Sequence, residues 1–254
     1  MKKQVKRTTY AGNICQNVIY AKRERELRLR HYKQPRPRFR NEQEREEHRR
    51  KISLHRFVLA LNAAFSSRGY FGTLTFDSQR FPEVDFATAK KERDNFIRRI
   101  KRAYPEAVLA LVIGAGDKEG RLHIHIIIEG VDPVKIGDIW SRGFVYLKAL
   151  YEYSEHNCTS CGADYTAVAR YMFDQAIAEI GQHRYYISRN ADKPEVQEPE
   201  VCTEIYTLSH CPEEPGYILV RSYADVYGNL FFWYARIEPS TSLIYNIQAF
   251  TQLE

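Results

Sequence analysis

The chain has 254 residues, 44% hydrophobic and 28% charged, with 18 Tyr, 13 Phe and a net charge of +6, a composition that supports a sizeable buried core. No run approaches the roughly 20 apolar residues that cross a bilayer, and the basic start has neither the apolar stretch nor the small-residue cleavage site of a secretory signal. Five cysteines, an odd number, fit a reducing cytoplasm with thiols or a metal site better than a disulfide framework.

Residues 1–40 read as a flexible basic arm ending in "KQPRPRFR", where Pro35 and Pro37 disfavour helix. Residues 1–56 carry a local balance of +12 and the remainder −6, so the charge is concentrated at the front. Such an arm suits a polyanion, and its electrostatic contacts imply an affinity that falls with salt. Asn41 followed by Glu44 forms a capping box. The helix it opens carries Ile52, Phe57, Val58, Leu61 and Phe65 on one face.

"GYFGTLTF" (69–76), rich in β-branched and aromatic residues, predicts a strand. Residues 84–103 predict an amphipathic helix with Phe86, Phe96, Ile97 and Ile100 inward. "AVLALVIG" (107–114) predicts a buried strand, followed after a turn by "GRLHIHIII" (120–128). Asp132 caps a short helix with Pro133 at its first position, and residues 162–180 predict a third long helix. After 190, "YILVRSY" and "LFFWYAR" flank Tyr-Gly-Asn as a hairpin. The expected division is an arm at 1–40, a central domain at 41–194 and a β-rich extension at 195–254 packed on it.

The chemistry concentrates in "GRLHIHIII". Side chains alternate along a strand, so Leu122, Ile124, Ile126 and Ile128 face one side while His123 and His125 share the other. Their Cβ atoms then lie roughly 6.5–7 Å apart, close enough for two imidazoles to converge on one divalent ion. Two hydrogen-bonded histidines without a ligand are the alternative. In helix 162–180, a 100° step groups Tyr165 with Ala169, Met172, Ala176 and Ile180, whereas Tyr171 lies nearly opposite, beside Ala167, Asp174 and Ala178. Tyr165 is therefore expected in the core and Tyr171 outside it.

"HNCTSC" (156–161) gives Cys158 and Cys161 the spacing of a zinc knuckle, which needs a second pair. Cys202 and Cys211, or His156 and His210, could supply it; ordinary thiols are the preferred expectation. Arg184 and Arg189, interleaved with Tyr185 and Tyr186, could bind phosphates and stack on bases; a strand of ordinary alternation with no such role is the alternative.

In order and spacing, "GTLTF" (72–76), "GRLHIHIII" (120–128) and "AVARYMFDQA" (167–176) resemble the three motifs of HUH (His-hydrophobe-His) endonucleases, specifically rolling-circle replication initiators of phage and plasmid type. The likeness spans roughly residues 69–194, and "GQHRYYISRN" followed by "KP" extends it. It implies an α+β fold, a central antiparallel sheet with the His-x-His strand in the middle and helices packed on its faces. It further implies metal-dependent nicking and joining of single-stranded DNA through a 5′-phosphotyrosine on Tyr171. His123 and His125 would hold Mg²⁺ or Mn²⁺, and Arg121, Arg184, Tyr185 and Arg189 would contact DNA. The implied partners are single-stranded or hairpin origin DNA and a host helicase. A relaxase or transposase of the same superfamily, or a non-catalytic nucleic-acid-binding protein on the same fold, are the alternatives. Two positions depart from the pattern. Asp174 stands where a lysine commonly follows the tyrosine, and Gly114 and Ala115 stand where an acidic third ligand is common. Asp117, Glu119 or Glu129 could replace that ligand, with Glu119 preferred.

Overall fold

The computed structural model describes residues 2–23, 39–116, 120–153, 163–177 and 183–236. Strands β1 (Lys2–Ala11) and β2 (Ile14–Arg23) form a hairpin whose register runs from Lys2 opposite Arg23 to Ala11 opposite Ile14. Gly12 makes the turn with φ of +58°, and a Cβ there would meet the Asn62 carbonyl oxygen at 2.2 Å. The first part of the expected arm is thus a structured sheet element. Its residues alternate Val5, Thr9, Ile14 and Val18 among the basic ones, and the buried members provide the energy that the charge count conceals. Residues 24–38 lie outside the described residues.

Helix α1 (Glu42–Ala64) opens as expected on Asn41, whose side chain accepts from Glu44 N at 2.8 Å. Glu44 reaches back to Arg40 N at 2.7 Å, one residue earlier than in the usual reciprocal box. Phe57, Val58, Leu61 and, just past the helix, Phe65 are buried, while Ile52 stays 39% exposed. After β3 (Tyr70–Leu74), helix α2 (Phe86–Ala103) is capped by Asp85, which accepts from Thr88 N at 2.8 Å. Then come β4 (Val108–Ala115), β5 (Leu122–Glu129) and α3 (Pro133–Trp140), whose Asp132 cap accepts from Val134 N at 3.0 Å.

Strand β6 (Val145–Ala149) has no counterpart among the expected elements; a 3₁₀ turn at Leu150–Tyr153 follows it. Helix α4 (Thr166–Gln175) is shorter than expected. It stops at Gln175 because the next residues join the sheet: Ala176 bridges Gly114, and Ile177 N donates to Ile113 O at 3.0 Å. Strands β7 (Tyr186–Ile187), β8 (Glu195–Val196), β9 (Glu200–Val201), β10 (Tyr217–Ala224) and β11 (Leu230–Arg236) complete the described chain. The β10–β11 turn closes on Asp225, whose carboxylate accepts from Tyr227 N and Asn229 N, both at 2.9 Å.

The fold is α+β with two antiparallel sheets. One has five strands in the order β6-β3-β5-β4-β7, so the His-x-His strand is the middle one. Its two faces are covered by different helices. Ile124, Ile126, Ile128 and Leu111 pack with Phe96 and Ile100 of α2 and Trp140 of α3. Phe71, Val112 and Ile127 pack on the opposite face with Phe57 and Leu61 of α1 and Val168 and Met172 of α4. The second sheet runs β10-β11-β2-β1-β8, with β9 also on β1, and joins the two ends of the described chain. Ala11, Ile14 and Trp233 bring it into the same cluster as α1, which therefore lies between the sheets. The described part of the C-terminal extension is built into this sheet through β11 on β2.

Candidate active site

Strand alternation turns His123 and His125 toward the α1/α4 face, where isoleucines would otherwise continue the core. The residues opposite them on β4 are Gly114 and Val112. A Cβ on Gly114 would lie 3.0 Å from His123 Nε2 and 3.4 Å from both His125 Cδ2 and Gln175 O. A side chain at position 114 would therefore crowd both imidazoles.

His123 Nε2 and His125 Nε2 lie 3.0 Å apart. His123 has its other contact with a carbonyl, which only accepts. Its Nδ1 faces Arg121 O at 3.4 Å, and in the tautomer that donates there the Nε2 lone pair is directed at the shared point. His125 is only 2% exposed, and its Nδ1 meets Thr73 Oγ1 at 3.2 Å. Burial, with a smaller contribution from His123, pushes the His125 pKa down to about 3. The ring is thus neutral at physiological pH, the form that ligates metals.

Tyr171 meets this pair from α4. Its ring centroid is 5.1 Å from that of His125 and 6.1 Å from that of Phe71, both edge-on. The residue is 50% exposed, whereas Tyr165 is buried and donates its hydroxyl to Ser66 O at 2.9 Å, as helical phase predicts. Tyr171 and the two histidines line one cavity of about 780 Å³, together with Thr73, Asp77, Arg121 and Phe144. Thr73 sits directly across β3–β5 from His125. Thr73 and Asp77 escaped the sequence reading. The signal was available in "GTLTFD", where strand alternation carries Thr73, Thr75 and Asp77 along one side.

The pair offers two nitrogen donors to a divalent ion, at a spacing that an N–H···N hydrogen bond between the rings shares. Two nitrogens each about 2.1 Å from an ion and at right angles to one another are separated by about 3.0 Å, which is the observed Nε2 spacing. Thr73 and Arg121 O orient the two rings from behind, as partners of ligating histidines do. No third ligand joins them among the described residues. Asp117 and Glu119 lie outside those residues. Glu129 accepts from Ser66 N at 2.9 Å and also from the Ser66 hydroxyl, four residues along the strand from His125. Asp77 is the acid that lines the cavity; its Oδ1 accepts from Gln79 N at 2.8 Å.

Other expected site residues are distributed differently. Arg121 lines the cavity. Arg184 pairs with Glu46 at 3.3 Å and lies over the Phe173 ring, a surface tie between α1 and α4. Tyr185 packs on Phe57 with centroids 4.4 Å apart, and burial raises its pKa, so it is no exposed platform for a base. Arg189 follows Ser188, which bonds Leu109 at the opposite end of β4 from Gly114. That is roughly 16 Å away at about 3.3 Å per residue. Arg184 and Tyr185 thus lie against α1 and α4, and Arg189 lies away from the histidine cavity. Asp174 is tied to Arg50 at 2.7 Å. Cys202 and Cys211 pack with Cys15 against the second sheet, while His210 is held by Glu204 at 3.0 Å. Cys158, Cys161 and His156 lie outside the described residues.

Comparison with protein-family models, with characterised proteins and with solved structures finds no match to this chain. No helix among the described residues is long and apolar enough to cross a membrane.

Proposed function

We propose that the chain is a metal-dependent endonuclease of the HUH type that nicks and rejoins single-stranded DNA through Tyr171, to start rolling-circle replication of a phage, plasmid or related mobile element. One observation carries this reading: a half-exposed tyrosine stands edge-on to the second of two histidines whose Nε2 atoms converge at 3.0 Å in a common cavity. The Tyr171 hydroxyl oxygen attacks the scissile phosphorus. The new O–P bond forms as the P–O3′ bond breaks, and the phenolic proton is balanced by protonation of the departing 3′-oxygen. The 5′ end is left on the enzyme and the phosphoester is conserved, so the 3′-hydroxyl can later reverse the step. Tyrosine is a weak nucleophile with an ordinary pKa of about 10, so placement matters more than basicity. His125 and Phe71 restrict the Tyr171 ring from two sides. His123 and His125 would hold Mg²⁺ or Mn²⁺, which when bound supplies Lewis-acid stabilisation to a non-bridging phosphate oxygen. Arg121, at the cavity wall, brings positive charge to the phosphate.

The test is incubation of the full chain with single-stranded oligonucleotides and Mn²⁺, followed by denaturing electrophoresis. A covalent protein–DNA adduct is expected, mapping to Tyr171 and lost in Tyr171→Phe. Binding without adduct across a broad pool of sequences and hairpins would instead identify a non-catalytic nucleic-acid-binding protein.

A further inference from the structure

We propose that the site face along β6, where Phe144 and Tyr146 are exposed, is the track of an unpaired DNA strand entering the cavity, with Phe144 and Tyr146 stacking on bases and Lys148 and Arg80 contacting phosphates. The inference rests on the nicking reading for the identity of the strand. Strand pairing sets the side on which these residues stand. Tyr146 is opposite Thr73, Thr73 is opposite His125, and Lys148 is opposite Phe71. Tyr146 therefore projects from the same face as the histidines, two strands or roughly 10 Å from His125. Val145 and Leu147 turn the other way and pack with Leu74 and Trp140. Helices α1 and α4 cover the central strands through Phe71, Ile127 and Val112. Phe144 is 83% and Tyr146 55% exposed.

Phe144 also lines the cavity that holds Tyr171 and both histidines, so the track is continuous with the site. Cations accompany the rings. Lys148 Nζ lies 5.9 Å from the Tyr146 ring centroid, and Arg80 donates to Ser141 O at 3.3 Å, three residues before Phe144. Exposed rings with cations close beside them are the usual platform for single-stranded nucleic acid. Two residues along a strand span about 6.6 Å, about twice the roughly 3.4 Å rise of a stacked duplex strand. The two rings thus suit successive bases of an extended strand and not the closed stack of a duplex.

The experiment compares the intact protein with Phe144→Ala, Tyr146→Ala and the double variant by fluorescence anisotropy on a mixed-sequence single strand and on its duplex, with the Mn²⁺ adduct assay in parallel. The double variant should bind the single strand about ten- to a hundredfold more weakly and the duplex within about twofold of the intact protein. Phe144→Tyr with Tyr146→Phe should restore binding, and Tyr227→Ala, a ring exposed at the β10–β11 turn, should leave it unchanged. Unchanged single-strand affinity in the double variant, or equal losses on strand and duplex, would overturn the track. Ring-dependent binding with no adduct in the intact protein upholds the track and removes the catalytic reading. An adduct with ring-independent binding does the reverse.

Discussion

Gly114 leaves the space that the imidazoles of His123 and His125 occupy in the candidate site. The strand next to the histidines must pass close to both imidazoles and to the end of α4, and any Cβ at this position enters that gap. Gly114→Ala places a methyl 3.0 Å from His123 Nε2. Overpacking of this kind costs about 1–3 kcal/mol when it is relieved by side-chain shifts. Here the group that gives way is the imidazole pair. Mn²⁺ affinity, measured by titration calorimetry, should fall about tenfold or more while the fold persists; undiminished affinity would show that the pair does not form the metal site. The histidines and the tyrosine were legible in the sequence because strand alternation and helical phase are local. Gly114 was not, because its role is defined by what crosses it from β5 and α4.

At the level of elements, α4 delivers the tyrosine, and the strength of its attachment is unevenly distributed. Its salt bridge to α1, Asp174 to Arg50, joins two half-exposed side chains. Such pairs contribute about 0–1 kcal/mol. The attachment that matters is apolar. Phe57 of α1 is fully buried, with its ring centroid 6.2 Å from Phe173 and 4.4 Å from Tyr185. Denaturant unfolding should find Phe57→Ala destabilised by about 3–5 kcal/mol and Asp174→Asn by under about 1 kcal/mol. A larger loss from Asp174→Asn than from Phe57→Ala would contradict this account. The same packing explains the fate of Tyr185 and Arg184. Their alternation was visible in the sequence, whereas their contacts with α1 and α4 depend on segments distant in the chain. Strand β6 went unrecognised because it is short and its pairing partner, β3, lies about 70 residues earlier in the chain.

The whole molecule depends on α1 being held between two sheets, and His55 is at that junction. Its ring lies edge-on to Trp233 at 5.7 Å and to Phe231 at 6.2 Å. Burial, aided by Arg7 and Arg56, lowers its pKa from 6.5 to about 4. The unfolded chain therefore takes up a proton near pH 6.5 that the folded chain refuses until about pH 4. The stabilising contribution is complete above pH 6.5 and is lost as the pH falls from 6.5 towards 4, to at most about 3 kcal/mol. Melting curves across this window should show the decline, and His55→Phe should flatten the part due to this residue; an unaltered pH dependence in that variant would count against it.

Taken alone, the amino-acid order determined which way individual side chains face: the histidines away from Ile124, Ile126 and Ile128, Tyr171 away from Tyr165, Asn41 and Asp132 at helix starts. Those features follow from the two-residue period of a strand, the 3.6-residue period of a helix and hydrogen bonds between near neighbours. Only the tertiary structure decided what each face meets. The basic N-terminal stretch became a hairpin because β11, β8 and β9, contributed by residues beyond 194, pair with it. Tyr171 came to lie against His125 because α4 is seated on β4 by a shared apolar core. Periodicity records the direction of a side chain, whereas its partner is selected by burial and backbone pairing between segments far apart in the chain.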